Sequence, residues 1–206
     1  MRLFYSAGSP FARIVRIALL ETGLDGRVTK QEIGRATLYS PESGVLAFNP
    51  IGRVPTLELD DGTILTESKL ILDYIDAISL RPPLLPRDGS DGWRTLAETG
   101  QAWGLLESVV TWVRALGQPE SQRTTAVVMG ETTRANRAAD ALETAVSHGA
   151  YAGSLNAAHI VLAAGLGLIE PRIPVWKWRE GRPGLSGWFD AISLKPSFQS
   201  TVPPPH

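Results

Sequence analysis

Tyr5-Ser-Ala-Gly-Ser-Pro-Phe-Ala-Arg-Ile-Val-Arg-Ile-Ala-Leu19 is the stretch on which the reading of this chain turns. It follows Arg2-Leu-Phe-Tyr5, a short aromatic and apolar run that reads as a buried strand and halts at Ser-Ala-Gly-Ser-Pro. Ser9 is a good helix N-cap, and Pro10 stands at the first helical position, where its missing N–H costs nothing. Phe11, Ile14, Val15, Ala18 and Leu19 then recur at helical spacing until Gly23 ends the helix. The fold therefore starts with a strand, a tight loop and an amphipathic helix.

Outward from there, Arg27 to Ile33 reads as a second strand, and Gly34 to Asn49 as a short irregular helix. Thr56-Leu-Glu-Leu59 and Thr63-Ile-Leu65 flank Asp60-Asp61-Gly62, a hairpin signature. A helix follows with Leu70, Ile71, Tyr74, Ile75 and Ile78 on one stripe. The early strands need a helical crossover and should be parallel, whereas the hairpin must be antiparallel, so the sheet is small and of mixed direction. Residues 81–92, rich in Pro and Gly, read as a linker. Beyond it strand signals vanish, and helical spacing returns in Trp93–Leu116, Arg123–Val146, Asn156–Ile169 and Leu185–Leu194. Asn156–Ile169 is apolar nearly all round and should be the buried centre of this half. The organisation expected is an α/β unit at 1–80, a linker at 81–92 and an all-α unit at 93–206.

The composition narrows the functions open to such a chain. Its 206 residues are 43% hydrophobic and 20% charged, with a formal charge of −1, so no global field draws it to nucleic acid or anionic lipid. With no Cys it has no disulfide, no thiolate zinc site and no protein thiol nucleophile. Its three histidines, His148, His159 and His206, lack zinc-hydrolase spacing, so no metal is expected. The longest apolar run, Ile160–Ile169, is about half of the roughly 20 residues a membrane span needs. The apolar start at Met1–Tyr5 is broken at once by Ser6-Ala-Gly-Ser-Pro. A soluble, cytoplasmic protein is the expectation.

Several residues could carry chemistry, each beside a plainer role. Ser9 sits where a helix N-terminus favours an anion, although capping alone accounts for it. Val54-Pro55 marks a strand start; a cis bond there would free the Val54 backbone to pair with an extended ligand, and a trans edge proline is the commoner case. Glu67 and Ser68 place a carboxylate and a hydroxyl at a helix start, equally suited to capping and to ligand binding. Arg53 is a solvated charge or a carboxylate clamp. Gly165-Leu-Gly167 lies inside a helical pattern and reads as close helix packing. Trp103, Trp112, Trp176, Trp178 and Trp188 are core by default.

Taken together, Tyr5–Leu19, then Asn49-Pro-Ile-Gly-Arg-Val-Pro-Thr-Leu57, then Leu65-Thr-Glu-Ser-Lys-Leu-Ile-Leu-Asp-Tyr-Ile75 closely resemble the cytosolic glutathione transferases. Ser154-Leu-Asn-Ala-Ala-His-Ile160 and Pro-Ser-Phe198 continue the resemblance over nearly the whole chain. It implies a thioredoxin-like N-terminal domain followed by an all-helical domain, usually in a homodimer. It also implies glutathione as co-substrate, no metal, and a small hydrophobic electrophile as second substrate. Ser9 matches the catalytic serine of the serine-type classes. Val54 matches the residue whose backbone pairs with the cysteinyl part of glutathione, Pro55 the family's cis-proline, and Glu67 and Ser68 the pair holding the γ-glutamyl end. Arg53 stands where many members keep a lysine near the glycyl carboxylate. Phe11 and Trp103 are the expected walls for the electrophile. A glutathione-dependent isomerase or dehalogenase, or a binding protein without turnover, remain as alternatives.

Two positions depart from the family pattern. Where a Ser/Thr-x-x-Asp capping box is usual, the chain reads Asn156-Ala-Ala-His159. Asn156 can cap, and His159 is not expected to act as the partner side chain. Ile14 replaces a common basic residue, with no expected consequence.

Overall fold

A computed structural model describes residues 1–204, apart from the side chain of Arg35; Pro205 and His206 lie outside the described residues. The chain forms two compact units, Met1–Leu85 together with Pro196–Pro204, and Pro86–Lys195. The division falls inside the expected linker, and the second unit's first helix begins at Gly89 within that stretch.

In the first unit, strands β1 (Arg2–Tyr5), β2 (Thr29–Glu32), β3 (Thr56–Glu58) and β4 (Ile64–Thr66) form one sheet in the order β2-β1-β3-β4. β1 pairs parallel with β2 and antiparallel with β3, and β3 pairs antiparallel with β4. Helix α1 (Pro10–Thr22) supplies the β1–β2 crossover and stops at Gly23, whose left-handed φ of 74° admits glycine without a Cβ penalty. β2 is shorter than Arg27–Ile33 because a 3₁₀ turn at Asp25–Arg27 takes the first part of that stretch. The region 34–49 contains one helical turn, α2 (Arg35–Leu38), followed by successive turns. After the hairpin comes α3 (Ser68–Ile78), which packs on α1 through Ile71, Leu72 and Ile75.

Phe4, Ile33, Val45 and Val54 form one apolar cluster, joined by the partly buried Leu38 and Phe48. Arg2 lies over the rings of Phe4 and Phe48 and bonds its cross-strand partner Glu58 at 2.8 Å. The last helix of the chain, α8 (Pro196–Gln199), also packs on α1. There Arg13, only 4% exposed, donates to the Phe198 carbonyl at 3.2 Å and to the Thr201 hydroxyl at 3.4 Å. Burial, with Arg16 nearby, lowers the Arg13 pKa to about 10, so it remains a cation at neutral pH.

The second unit is helical: α4 (Gly89–Leu116), α5 (Thr125–Ser147), α6 (Ala157–Arg172) and α7 (Pro183–Ser193). Almost every residue of α6 from Ala157 to Ile169 is buried, as its all-round apolarity predicts. α6 lies against α4, and a Cβ at Gly165 would stand 3.5 Å from Cα and Cβ of Leu106; close approach is what that glycine provides. Arg182 is buried and joins α7 to α5, with Nε on Asp140, Nη1 on the Trp178 carbonyl and Nη2 on Asn136.

The expectation for His159 is corrected. It completes the capping box: Asn156 Oδ1 accepts from the His159 amide at 3.3 Å, and His159 Nδ1 lies 3.3 Å from the Asn156 amide. An imidazole nitrogen without its proton has the same kind of lone pair as a carboxylate oxygen, so the box survives without an acid. Nδ1 also lies 2.7 Å from Asn156 Oδ1, and would donate there in the other tautomer. Ile14, the other departure, is wholly buried.

Candidate functional site

The register of the sheet decides which residues meet. Phe4 stands opposite Thr56, and Thr56 opposite Thr66, forming one row across three strands. One step beyond that row, β1 runs into the Ser6–Ser9 loop, β3 is preceded by Val54-Pro55, and β4 runs into Glu67 and Ser68. Three separate pieces of sequence thus gather at one end of the sheet. With neighbouring strands roughly 4.8 Å apart, this end is about 10 Å wide from β1 to β4. The helices α1 and α3 both begin there, and neither has an acidic residue in its first turn. Their N-terminal N–H groups give that end a positive potential suited to an anion.

Ser9 caps α1: its Oγ accepts from the Ala12 amide at 3.2 Å, while its own amide donates to the Ser6 carbonyl at 3.0 Å. The cap uses only a lone pair, so the hydroxyl proton has no acceptor among the described residues. Ser9 can therefore cap its helix and donate to a ligand at once.

Val54-Pro55 is a cis peptide, as the family resemblance implies. Neither the amide nor the carbonyl of Val54 bonds to another described residue, although the side chain is buried. Backbone groups without protein partners at a strand start are available to an extended ligand. The preceding turn is fixed from inside by Asn49, 3% exposed. Asn49 Nδ2 donates to the Arg53 carbonyl at 3.1 Å and to Thr56 Oγ1 at 3.0 Å, and its Oδ1 accepts from the Ile51 amide at 3.0 Å. Thr56 Oγ1 in turn donates to the Arg53 carbonyl at 2.8 Å. Sequence reasoning missed both residues as scaffolding. The available signal was an Asn opening an Asn-Pro-x-Gly turn, where its side chain bonds the amide two residues on.

Glu67 has φ 64° and ψ 121°, rare for a residue with a side chain, and its carboxylate makes no capping bond. Such a conformation costs about 1–3 kcal/mol and tends to occur at ligand sites. Capping therefore does not account for Glu67. Ser68 is the first residue of α3, and its buried hydroxyl has no partner among the described residues. Arg53 is exposed and pairs with no carboxylate among them. Phe11, half-buried, is the second residue of α1, close to the same end of the sheet. Trp103 belongs to the second unit, on α4, and is 6% exposed. Among the described residues no group of His, Asp and Glu could hold a metal ion, and no helix is long and apolar enough to cross a membrane.

Residues 8–78, which include Ser9, Phe11, Arg53, Val54, Pro55, Glu67 and Ser68, match the glutathione S-transferase N-terminal domain. The chain is 30% identical over 205 residues to the GST-like protein YibF of Escherichia coli, covering 99% of each. It belongs to the glutathione S-transferase family. Its fold superposes with a TM-score of 0.89 on a family member from Pseudomonas fluorescens solved with bound glutathione, at 33% identity and 98% coverage of both chains. A maleylacetoacetate isomerase of Pseudomonas aeruginosa is 35% identical over 102 residues, which is 50% of this chain and 47% of that protein. In family terms the first unit is the thioredoxin-like domain and the second is the helical one.

Proposed function

We propose that the end of the sheet between β1 and β4 binds glutathione and activates its thiol for attack on a hydrophobic electrophile. The observation that carries this is the Ser9 hydroxyl, whose proton is unclaimed among the described residues while its oxygen is held at a helix N-terminus. Glutathione is an extended tripeptide with two carboxylates and one ammonium. Its cysteinyl backbone would pair with the free amide and carbonyl of Val54. Its γ-glutamyl ammonium would meet Glu67, and the neighbouring carboxylate Ser68 and the first N–H groups of α3. The glycyl carboxylate would meet Arg53.

An ordinary thiol has a pKa near ~8.5 and is only a few per cent thiolate at neutral pH. A hydrogen bond to an ion contributes about 1.5–3 kcal/mol, and each pKa unit corresponds to roughly 1.4 kcal/mol. One hydroxyl donor together with the α1 dipole is therefore enough to lower the thiol pKa by roughly 1–2 and to make much of it thiolate. Ser9 remains neutral throughout and needs no base. The thiolate then forms a bond to carbon as the leaving group departs or the electrons pass into a conjugated acceptor. Phe11 is the proposed wall for that second substrate, and a homodimer in the cytoplasm is the proposed working form.

The second reading is an isomerase, which adds the same thiolate to an unsaturated substrate and expels it again; the similarity to maleylacetoacetate isomerase favours it. Regenerated rather than consumed glutathione distinguishes it from conjugation. The test of the common step is thiolate ultraviolet absorbance against pH for glutathione bound to wild type, Ser9→Ala and Ser9→Thr. The thiol pKa should lie well below that of free glutathione in wild type, return towards it in Ser9→Ala, and stay low in Ser9→Thr. Binding without a shift would refute the catalytic reading, and no binding would refute glutathione as the ligand.

A further inference from the structure

Helix α1 carries a charge that its surroundings do not answer. Arg13 is 4% exposed and donates to the Phe198 carbonyl and the Thr201 hydroxyl, both neutral. No carboxylate among the described residues pairs with it, and the nearby charge of Arg16 has the same sign. The acids on the elements packed around it are committed elsewhere. Glu21 of α1 accepts from the Ser197 hydroxyl, and Asp76 of α3 accepts from the Leu84 and Leu85 amides. Asp25, in the 3₁₀ turn after α1, pairs with Lys30. Lys69 and Asp73 of α3 do not bond Arg13, and α8 has no charged residue.

A neutral donor would serve both acceptors. A glutamine carboxamide has two N–H groups, so these hydrogen bonds account for a donor at this position and not for a cation. Holding a charge out of water without a counter-ion is unfavourable, yet Arg13 remains protonated at neutral pH. Its place on the helix supplies a reason. Ser9 is the N-cap and Arg13 stands four residues on, so the two share one face of α1. A long helical side chain leans over the turn N-terminal to its own Cα, here towards Ser9. A charge so close, and shielded from solvent, is screened far less than one on the surface.

We propose that Arg13 is the buried counter-charge for the glutathione thiolate held at Ser9, acting through its field rather than by contact. This rests on the role given to Ser9, and it adds a second source of anion stabilisation to the hydroxyl and the helix dipole. The bonds between α1 and the C-terminal segment then have a functional side, because Phe198 and Thr201 fix where the charge stands. Arg16, half-buried over the Tyr5 ring, carries the same charge two turns from Ser9, and water screens it.

The test is the thiol pKa of bound glutathione in the full chain, read from thiolate ultraviolet absorbance. Wild type, Ser9→Ala, Arg13→Gln, Arg13→Lys and Arg16→Gln are compared, and the affinity of each for S-methylglutathione, which has no ionisable thiol, is measured alongside. Arg13→Gln keeps N–H donors for both acceptors and should raise the thiol pKa by roughly 0.5–1 relative to wild type, as loss of a unit charge from a partly buried site gives. Its affinity for S-methylglutathione should be unchanged. Arg13→Lys, which keeps the charge, should stay close to wild type, and Arg16→Gln should differ from it only at low salt. Equal thiol pKa values in wild type and Arg13→Gln, beside a raised value in Ser9→Ala, would overturn the role of Arg13 and leave that of Ser9. A loss of affinity for S-methylglutathione in Arg13→Gln at unchanged thiol pKa marks a structural role and would also overturn it. A wild-type thiol no more acidic than free glutathione overturns both. If Arg13→Gln fails to fold, Thr201→Asp decides, because it keeps Arg13 and gives it a carboxylate partner. Thr201→Asp should raise the thiol pKa and Thr201→Val should not; an unmoved value in Thr201→Asp would overturn the proposal.

Discussion

The hydroxyl of Ser9 accepts one hydrogen bond and has one to give, so its two readings are compatible. Ser9→Ala should lose both roles: about 1 kcal/mol of stability from the cap and the thiol shift. Denaturant midpoints report the first and thiolate absorbance the second. Asn49 gives a purely structural contrast. Replacing it with Ala leaves the buried Thr56 hydroxyl short of a donor and the Ile51 amide without an acceptor. Asn49→Ala should cost about 1–3 kcal/mol, read as a lower urea midpoint at unchanged slope. His159 gives a pH dependence. Burial lowers its pKa below the ordinary 6.5, opposed by a backbone hydrogen bond with Tyr151 and reinforced by Lys195. A histidine harder to protonate in the fold than in the unfolded chain contributes stability that is fully present above pH 6.5 and is lost as pH falls through the folded value. Wild type should therefore lose stability on acidification from neutral pH. His159→Gln, which can still accept from Asn156, should flatten that part of the profile.

At the scale of elements, the α4–α6 contact at Gly165 makes a graded prediction. A Cβ there meets Leu106 at ordinary van der Waals distance, so Gly165→Ala should be tolerated and gain up to about 1 kcal/mol of helix propensity. Gly165→Leu should cost about 1–3 kcal/mol or more by overpacking, seen as a lower midpoint in thermal melts. Most elements were legible in the sequence because their signals are local: Ser9-Pro10 and Gly23 bracket α1, and Asp61-Gly62 sets the hairpin, with Gly62 at φ 85°. Three features were not legible, although each rests on contacts between residues close in sequence. The start of β2 yields to a 3₁₀ turn. Asn49 anchors its turn through a side-chain network that spacing does not reveal. The partnership of Asn156 with His159 depends on the protonation of a ring nitrogen, which a motif written for carboxylates does not encode. The positions proposed for glutathione were readable as residues, but their convergence became visible only in the Phe4–Thr56–Thr66 register.

For the molecule as a whole, the division into units does not follow the order of the chain. Pro196–Pro204 belongs to the first unit, where Phe198 is buried and the Ser197 hydroxyl bonds Glu21. A chain ending at Lys195 should lose about 3–5 kcal/mol through the exposed aromatic surface and the unpartnered Arg13. Its first unit should melt at lower temperature, and amide exchange should be fastest along α1. The same arrangement acts while the protein is being made. At roughly 5–20 residues per second, the ribosome must add the intervening stretch of about 110 residues before the first unit can receive its final helix. For about 5–20 seconds the nascent α1 exposes an uncovered face with a buried-type arginine on it. The first-synthesised unit is therefore the last to be completed, and chaperones or proteases have that interval in which to reach it.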